Sequence, residues 1–379
     1  MQAGSPATKR FYRPELDVLR FVAFLAVFLY HTLPNSEDMR FQRLAGGFTS
    51  FYRVLSGACV YGLTLFFTLS AFLICELLLR ERDASGRVGV KQFYLRRILR
   101  IWPLYYFGLA LGAAVAMLPG GHPADLTRIG WSALFLGSCF RSFIPNPAAP
   151  LWSISVEEQF YLFAPWIVKY LNRKLLFGFC LVLILIANLQ LVLLCRTSAT
   201  GIRIWSDSLV QFESFAAGIL LCLALRSRLP RFSLWLRLTL LAVSCSCWLL
   251  ASYCQQILDS VSYSAGSQCC LYALAALGSG LLILAALGID PARLPAWAIV
   301  LGRISFGLYV YHEFAIYLSH CVFGHFLPFS NPAYYSKAVL ASVLTVLMAT
   351  LSYRYLETPF LRMKARHAVI DSQPIAEAD

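Results

Sequence analysis

The stretch Arg13-Pro14-Glu15-Leu16-Asp17-Val18-Leu19-Arg20 runs into ten mostly apolar residues, Phe21 to Tyr30, and closes on His31-Thr32. Residues 16–33 have nearly the length of a bilayer-crossing helix, about 20 residues. Eleven positions separate Arg20 from His31. At about 100° per residue that is three turns and about 20° more, so both side chains share one helix face. At about 1.5 Å per residue they stand about 16 Å apart along the axis. A guanidinium and an imidazole are costly in lipid and face a bundle interior or a water-filled cavity. The plain alternatives are an arginine reaching the headgroups and a histidine hydrogen-bonded near the interface.

Composition extends this reading to the whole chain. Of 379 residues, 59% are hydrophobic and only 13% charged, and the mean hydropathy is +0.66. The expected fold is all-α: a polytopic integral membrane protein of about ten transmembrane helices. They fall at 16–33, 56–79, 101–118, 151–171, 175–195, 207–225, 233–251, 269–288, 297–318 and 338–356. The stretch 131–143 is apolar but short and reads as re-entrant or interfacial. Lys9, Arg10 and Arg13 precede the first helix and no small-residue cleavage site follows it, so it reads as retained.

The net charge of +13 follows membrane topology and does not indicate nucleic acid. Most of the basic residues fall in alternate loops, which places both termini in the cytoplasm. Residues 1–13 and 361–379 are then cytoplasmic tails around a membrane domain of 14–360. The twelve cysteines are scattered through apolar segments with no Cys-x-x-Cys and no metal-ligand spacing. They read as small buried hydrophobes, and no metal is expected.

Three further segments carry polar groups that lipid does not explain. Between the second and third helices, Arg96, Arg97 and Arg100 are neighbours at helical spacing and flanked by Phe93, Tyr94, Trp102, Tyr105 and Tyr106. They form either an interfacial basic helix or a phosphate clamp built from planar donor forks. The fourth helix opens Leu151-Trp152-Ser153-Ile154-Ser155-Val156-Glu157-Glu158-Gln159-Phe160-Tyr161. Its adjacent acids point about 100° apart and so serve different ends. The ninth helix carries His312 beside Glu313.

Together these stretches resemble the membrane acyltransferase family 3, whose bacterial members O-acylate surface glycans and some small molecules. The resemblance rests on six blocks in chain order. They are Arg20 to His31, Phe66 to Ile74 (with Ala71 where glycine is usual), Phe93 to Tyr106, Leu151 to Tyr161, Arg303 to His312, and Tyr353 to Phe360. It implies transfer of an acyl group, most often acetyl, from acyl-coenzyme A to a hydroxyl, with Arg20 and His31 needed for activity.

The expected mechanism docks acyl-coenzyme A phosphates on Arg97 and Arg100, with Arg96 beside them. Arg20 steers the thioester, and His31 acts as general base or forms an acyl intermediate. Glu157 or Glu158 orients the imidazole, as carboxylates do in triads. Asp17, Ser70, Tyr161 and His312 stand as supporting residues. The expected partners are acyl-coenzyme A as donor substrate, a carbohydrate or glycosylated acceptor, and membrane lipids. No bound cofactor is expected, and the location is the bacterial inner membrane. The alternative is a transporter or flippase of a glycan or acyl group, since interior charges suit that class too.

Overall fold

The computed structural model describes residues 12–33, 49–119, 121–139, 146–197, 199–226, 228–261, 264–326 and 331–365. Residues 1–11 and 366–379 of the expected tails lie outside the described residues. Every regular element among the described residues is helical.

Helix α1 (Pro14–Thr32) begins with a proline in its first turn, where a missing N–H costs no hydrogen bond. Glu15 and Asp17 follow at its positive end. Its buried side chains Leu16, Leu19, Ala23, Phe24 and Val27 recur at helical spacing. Helix α2 (Thr49–Ala58) turns through a short 3-10 segment, Cys59–Tyr61, into α3 (Gly62–Ser85). Helix α3 is the centre of the bundle. Leu65, Phe67, Leu69, Ala71, Ile74 and Leu78 are each no more than 1% exposed.

After α4 (Val90–Met117) come α5 (Ala124–Ala133), α6 (Trp152–Tyr170), α7 (Arg173–Arg196) and the short α8 (Gly201–Ser206). Then follow α9 (Ser208–Leu225), α10 (Leu234–Val261) and α11 (Ala265–Ala286). The last part holds α12 (Ala296–Arg303), α13 (Ser305–Phe326) and α14 (Asn331–Ser352). A wider turn, Tyr353–Glu357, leads from α14 to α15 (Thr358–Ala365). Helix α9 lies between α3 and α7, and α10 pairs with α11 as α13 does with α14.

The apolar surface faces outward. Leu175, Leu181, Val182, Leu185, Leu189 and Leu193 of α7 are all exposed, as befits a helix whose solvent is hydrocarbon. Seven stretches among the described residues are long and apolar enough to cross a membrane: Ser50–Ser85, Val90–Met117, Arg173–Arg196, Ser208–Leu225, Leu234–Gln256, Ala265–Ala286 and Tyr335–Lys364.

Ten were expected, and the three that fall short carry the polar groups of interest. Helix α1 holds Glu15, Asp17 and Arg20, and α6 holds Glu157, Glu158 and Lys169. The expected span 297–318 breaks at Ile304 into α12 and α13. The short stretch expected at 131–143 is the end of α5 and a 3-10 turn, Gly137–Cys139, as far as it is described.

Small residues let the central helices touch. A Cβ on Gly218 of α9 would meet the Thr68 carbonyl and the Ala71 methyl of α3, so Ala71 sits at a close helix crossing. Gly302 of α12 packs on the backbone of Asp17, which a Cβ would overlap. Gly302→Ala must therefore push α1 away. We expect it to destabilise the protein by about 1–3 kcal/mol and to disturb the Asp17–Arg20 turn. Thermal unfolding in detergent beside the wild type measures this, and an unchanged midpoint would mean the crossing relaxes freely.

Two arginines act as caps within the bundle. Arg82 Nη1 donates to the carbonyls of Val168 (2.6 Å) and Leu171 (2.7 Å) at the end of α6. Arg237 Nη1 donates to those of Ala285 (2.6 Å) and Leu287 (2.8 Å) at the end of α11. Each satisfies carbonyls left open by a helix terminus. All twelve cysteines are free thiols.

Candidate functional site

Helix α1 runs past two cavities. Arg20 lines the first, of about 170 Å³. His31 lines the second, of about 450 Å³. Leu63 and Tyr309 belong to both linings, so the two spaces adjoin at these side chains. The three helical turns between Arg20 and His31 thus separate two chambers.

The first chamber is ringed by charge. Asp17 Oδ1 accepts from Arg20 Nη1 at 3.2 Å, and Asp17 Oδ2 accepts from Tyr12 Oη at 2.9 Å. The first-turn carboxylate thus fixes where the guanidinium starts. From α3, Ser70 Oγ donates to Glu157 Oε1 at 2.8 Å. Tyr161 Oη donates to Glu157 Oε2 at 3.1 Å. From α4, Arg96 is held by Glu81 Oε2 at 3.1 Å, and Glu81 Oε1 accepts from the Gly89 amide at 2.7 Å.

Arg97 lies 5.3 Å from the Tyr161 ring centroid and 5.6 Å from that of Phe93. Arg100 and Lys364 also line this chamber. Among the described residues Arg97, Arg100 and Lys364 make no ion pair, while Arg20 and Arg96 do. Unpaired cations held together outside bulk water cost several kcal/mol unless an anion joins them. Guanidinium forks suit phosphate in particular.

The second chamber has a different chemistry. Its rings are Tyr30, Tyr61, Trp152, Trp205 and Tyr272, and its amides are Asn146, Gln255 and Gln268. Ring faces cover apolar C–H surfaces, and amides offer donor and acceptor together. A polyhydroxylated ligand fits such a lining. Tyr309, at the boundary, hydrogen-bonds with Ser153 Oγ (2.6 Å) and donates to the Pro150 carbonyl (3.1 Å).

His31 sits in the last turn of α1. Its Nδ1 donates to the Val27 carbonyl at 2.9 Å, because a carbonyl can only accept. That leaves Nε2 with a lone pair facing α13. There it meets Glu313 Oε1 at 3.6 Å, and the His312 ring centroid lies 5.1 Å away. The carboxylate near the imidazole is thus Glu313.

Glu157 and Glu158, expected for that position, stand elsewhere. Glu157 is engaged with Ser70 and Tyr161, and Glu158 Oε2 accepts from Trp102 Nε1 at 3.2 Å. The structure therefore brings Asp17, Arg20, Ser70, Arg96, Arg97, Arg100, Glu157 and Tyr161 to one chamber. It leaves Glu158 outside both linings and gathers His31, His312 and Glu313 at the far end of α1.

Lys364 was expected in the C-terminal tail, and no pattern in the sequence singles it out. Only the return of α15 against α4 brings it into the chamber. Glu313 had a visible signal, its place beside His312, but its pairing with α1 had none.

The family model described as an acyltransferase domain matches residues 13–353. The chain belongs to acyltransferase family 3. The match takes in both chambers except Tyr12 and Lys364. Among curated relatives of this acyltransferase, the peptidoglycan O-acetyltransferase OatA of Listeria monocytogenes is 26% identical over 382 residues, covering 92% of this chain and 56% of OatA. O-acetyltransferase OatA of Staphylococcus aureus is 24% identical over 376 residues, with 92% and 57% covered. The provisionally named O-acetyltransferase SAS0844 of Staphylococcus aureus strain MSSA476 is 25% identical over 374 residues, with the same coverage. The acyltransferase chain thus spans just over half the length of these relatives. No solved structure matches it significantly.

Proposed function

We propose that this protein is a membrane O-acyltransferase of the cell envelope, moving an acetyl group to a carbohydrate hydroxyl. The observation that carries the reading is the pair of adjoining chambers on one face of α1. One is ringed by cations, of which Arg97, Arg100 and Lys364 make no ion pair among the described residues; the other is lined by rings and amides, and His31 stands in the second. The donor we propose is acyl-coenzyme A. Its phosphates sit on Arg97, Arg100 and Lys364, and its thioester arm passes Arg20 and Tyr309. The acceptor lies in the aromatic chamber.

His31 Nε2 takes the hydroxyl proton, the new C–O bond forms as the C–S bond breaks, and the proton leaves on the thiol. Val27 holds the ring, and Glu313 offsets the imidazolium charge that develops in the step. This arrangement requires ten crossings, with α1, α6 and the α12–α13 pair joining the seven apolar stretches. Both termini are then cytoplasmic and the location is the inner membrane. The names of the relatives support transfer over transport, the other class consistent with interior charges.

The test is acetyl transfer by the full chain in detergent or vesicles, with labelled acetyl-coenzyme A and envelope oligosaccharides. A labelled, base-labile ester formed only in the presence of protein is the expected result. Absence of any ester, with glycan movement across vesicles instead, would replace this reading with transport. Ester formed from another acetyl carrier but not from acetyl-coenzyme A would remove the donor while keeping the transferase.

A further inference from the structure

Three lone-pair atoms converge at the far end of α1: His31 Nε2, His312 Nε2 and Glu313 Oε1. Glu313 Oε1 lies 3.6 Å from the first and 3.9 Å from the second, and each of the three residues offers one ligand atom within 4.8 Å of the other two. These separations are too long for hydrogen bonds among them. A tetrahedral ion with ligands at about 2.1 Å holds them about 3.4 Å apart, a few tenths of an ångström less than the two shorter distances here.

Both imidazoles are already set as ligands. His31 Nδ1 donates to the Val27 carbonyl at 2.9 Å, and His312 Nδ1 donates to the Tyr309 carbonyl at 2.5 Å. Each ring therefore turns its Nε2 lone pair inward, the tautomer that second-shell carbonyls impose at metal sites.

The second observation comes from His312 itself. Its side chain is 0% exposed, and its Nε2 has no hydrogen-bond partner among the described residues. A buried imidazole nitrogen left so is costly. It points into the gap between His31 and Glu313, where three acceptors face one another with no donor. A cation resolves that arrangement.

We infer that His31, His312 and Glu313 form a binding site for a divalent transition-metal ion of the zinc class, with an open position toward the aromatic chamber. Two imidazoles and one carboxylate are a fitting donor set for such an ion. The ion and the base compete for one lone pair. A metal on His31 Nε2 prevents that atom from taking the acceptor's proton, so the ion is an inhibitor of the transfer proposed above. The binding site does not depend on that reading, but the inhibition rests on it.

The experiment uses the full chain in detergent, stripped with EDTA. Zn²⁺ alone is titrated by calorimetry, and Co²⁺ alone is followed by its visible absorption. The wild type is expected to bind one ion per chain. His312→Asn and Glu313→Gln are each expected to weaken binding at least about tenfold. Because His312 is a core residue, monodispersity and thermal unfolding of both variants are recorded, and the isosteric Glu313→Gln carries the result if His312→Asn fails to fold. No saturable binding by the wild type, or binding unchanged in the folded variants, overturns the site.

Transfer activity is read in parallel. Zn²⁺ inhibition that EDTA reverses is expected. Binding without inhibition in an active enzyme overturns the competition. Saturable binding by a chain that transfers nothing leaves the site standing and removes the transferase reading, so the two failures are distinct.

Discussion

His31→Gln is expected to lower acetyl transfer by about 10² to 10⁴-fold, the usual range for loss of a positioned general base. The loss should fall on kcat, because glutamine keeps a polar tip toward the aromatic chamber but no basic nitrogen. The variant isolates chemistry from folding. The Nδ1 bond of His31 goes only to the carbonyl of Val27 on its own helix, and the residue lies at the helix's last turn. Across helices it meets only Glu313 and His312 of α13 among the described residues, at 3.6 Å from the Glu313 carboxylate and with no hydrogen bond. Unfolding midpoints should therefore stay close to the wild type while the initial rate collapses. A rate within about threefold of the wild type would exclude His31 as the base and would turn attention to the boundary residue Tyr309.

The second large effect concerns the cation chamber. Arg97→Ala combined with Arg100→Ala is expected to raise the apparent KM for acyl-coenzyme A by about 10²-fold or more. Hydrogen bonds to charged groups contribute about 1.5–3 kcal/mol each, and two of them reach that factor. The kcat at saturating donor should change less, since neither residue belongs to the chamber where His31 stands.

The geometry also says why Arg96 makes a poorer target. It is already paired with Glu81 at 3.1 Å, so replacing it unpairs a buried carboxylate and confounds binding with stability. Lys364→Ala should act in the same direction as the double variant and more weakly, as loss of one unpaired cation. An unchanged donor KM in the folded double variant would show that the phosphates do not dock on this ring.

Much of the molecule could be read from residue order alone. Hydropathy and segment length mark it as a helical membrane protein, because a bilayer admits no lipid-exposed backbone that is not internally bonded. The 3.6-residue period puts Arg20 and His31 on one face, and the i, i+3 spacing puts Asp17 beside Arg20 and Arg97 beside Arg100. The blocks around Arg20, Ser70, Arg97 and Glu157 point to the same family that the match over residues 13–353 shows. Each of these is local: one helix, one turn, one run of residues.

The pairings between helices were not legible in that way. The choice of Glu313 over Glu157 and Glu158 as the carboxylate at His31 depends on how α13 docks against α1. Gly302 seats α12 on the backbone of Asp17 just before α13 begins, and no periodicity within any one of these segments encodes the docking. Lys364 joins the cation chamber because α15 folds back on α4, about 350 residues after α1 begins. The two chambers adjoin at Leu63 of α3 and Tyr309 of α13, which line both. A helix's own sequence sets which side chains share its face, whereas close packing with its neighbours decides what that face meets.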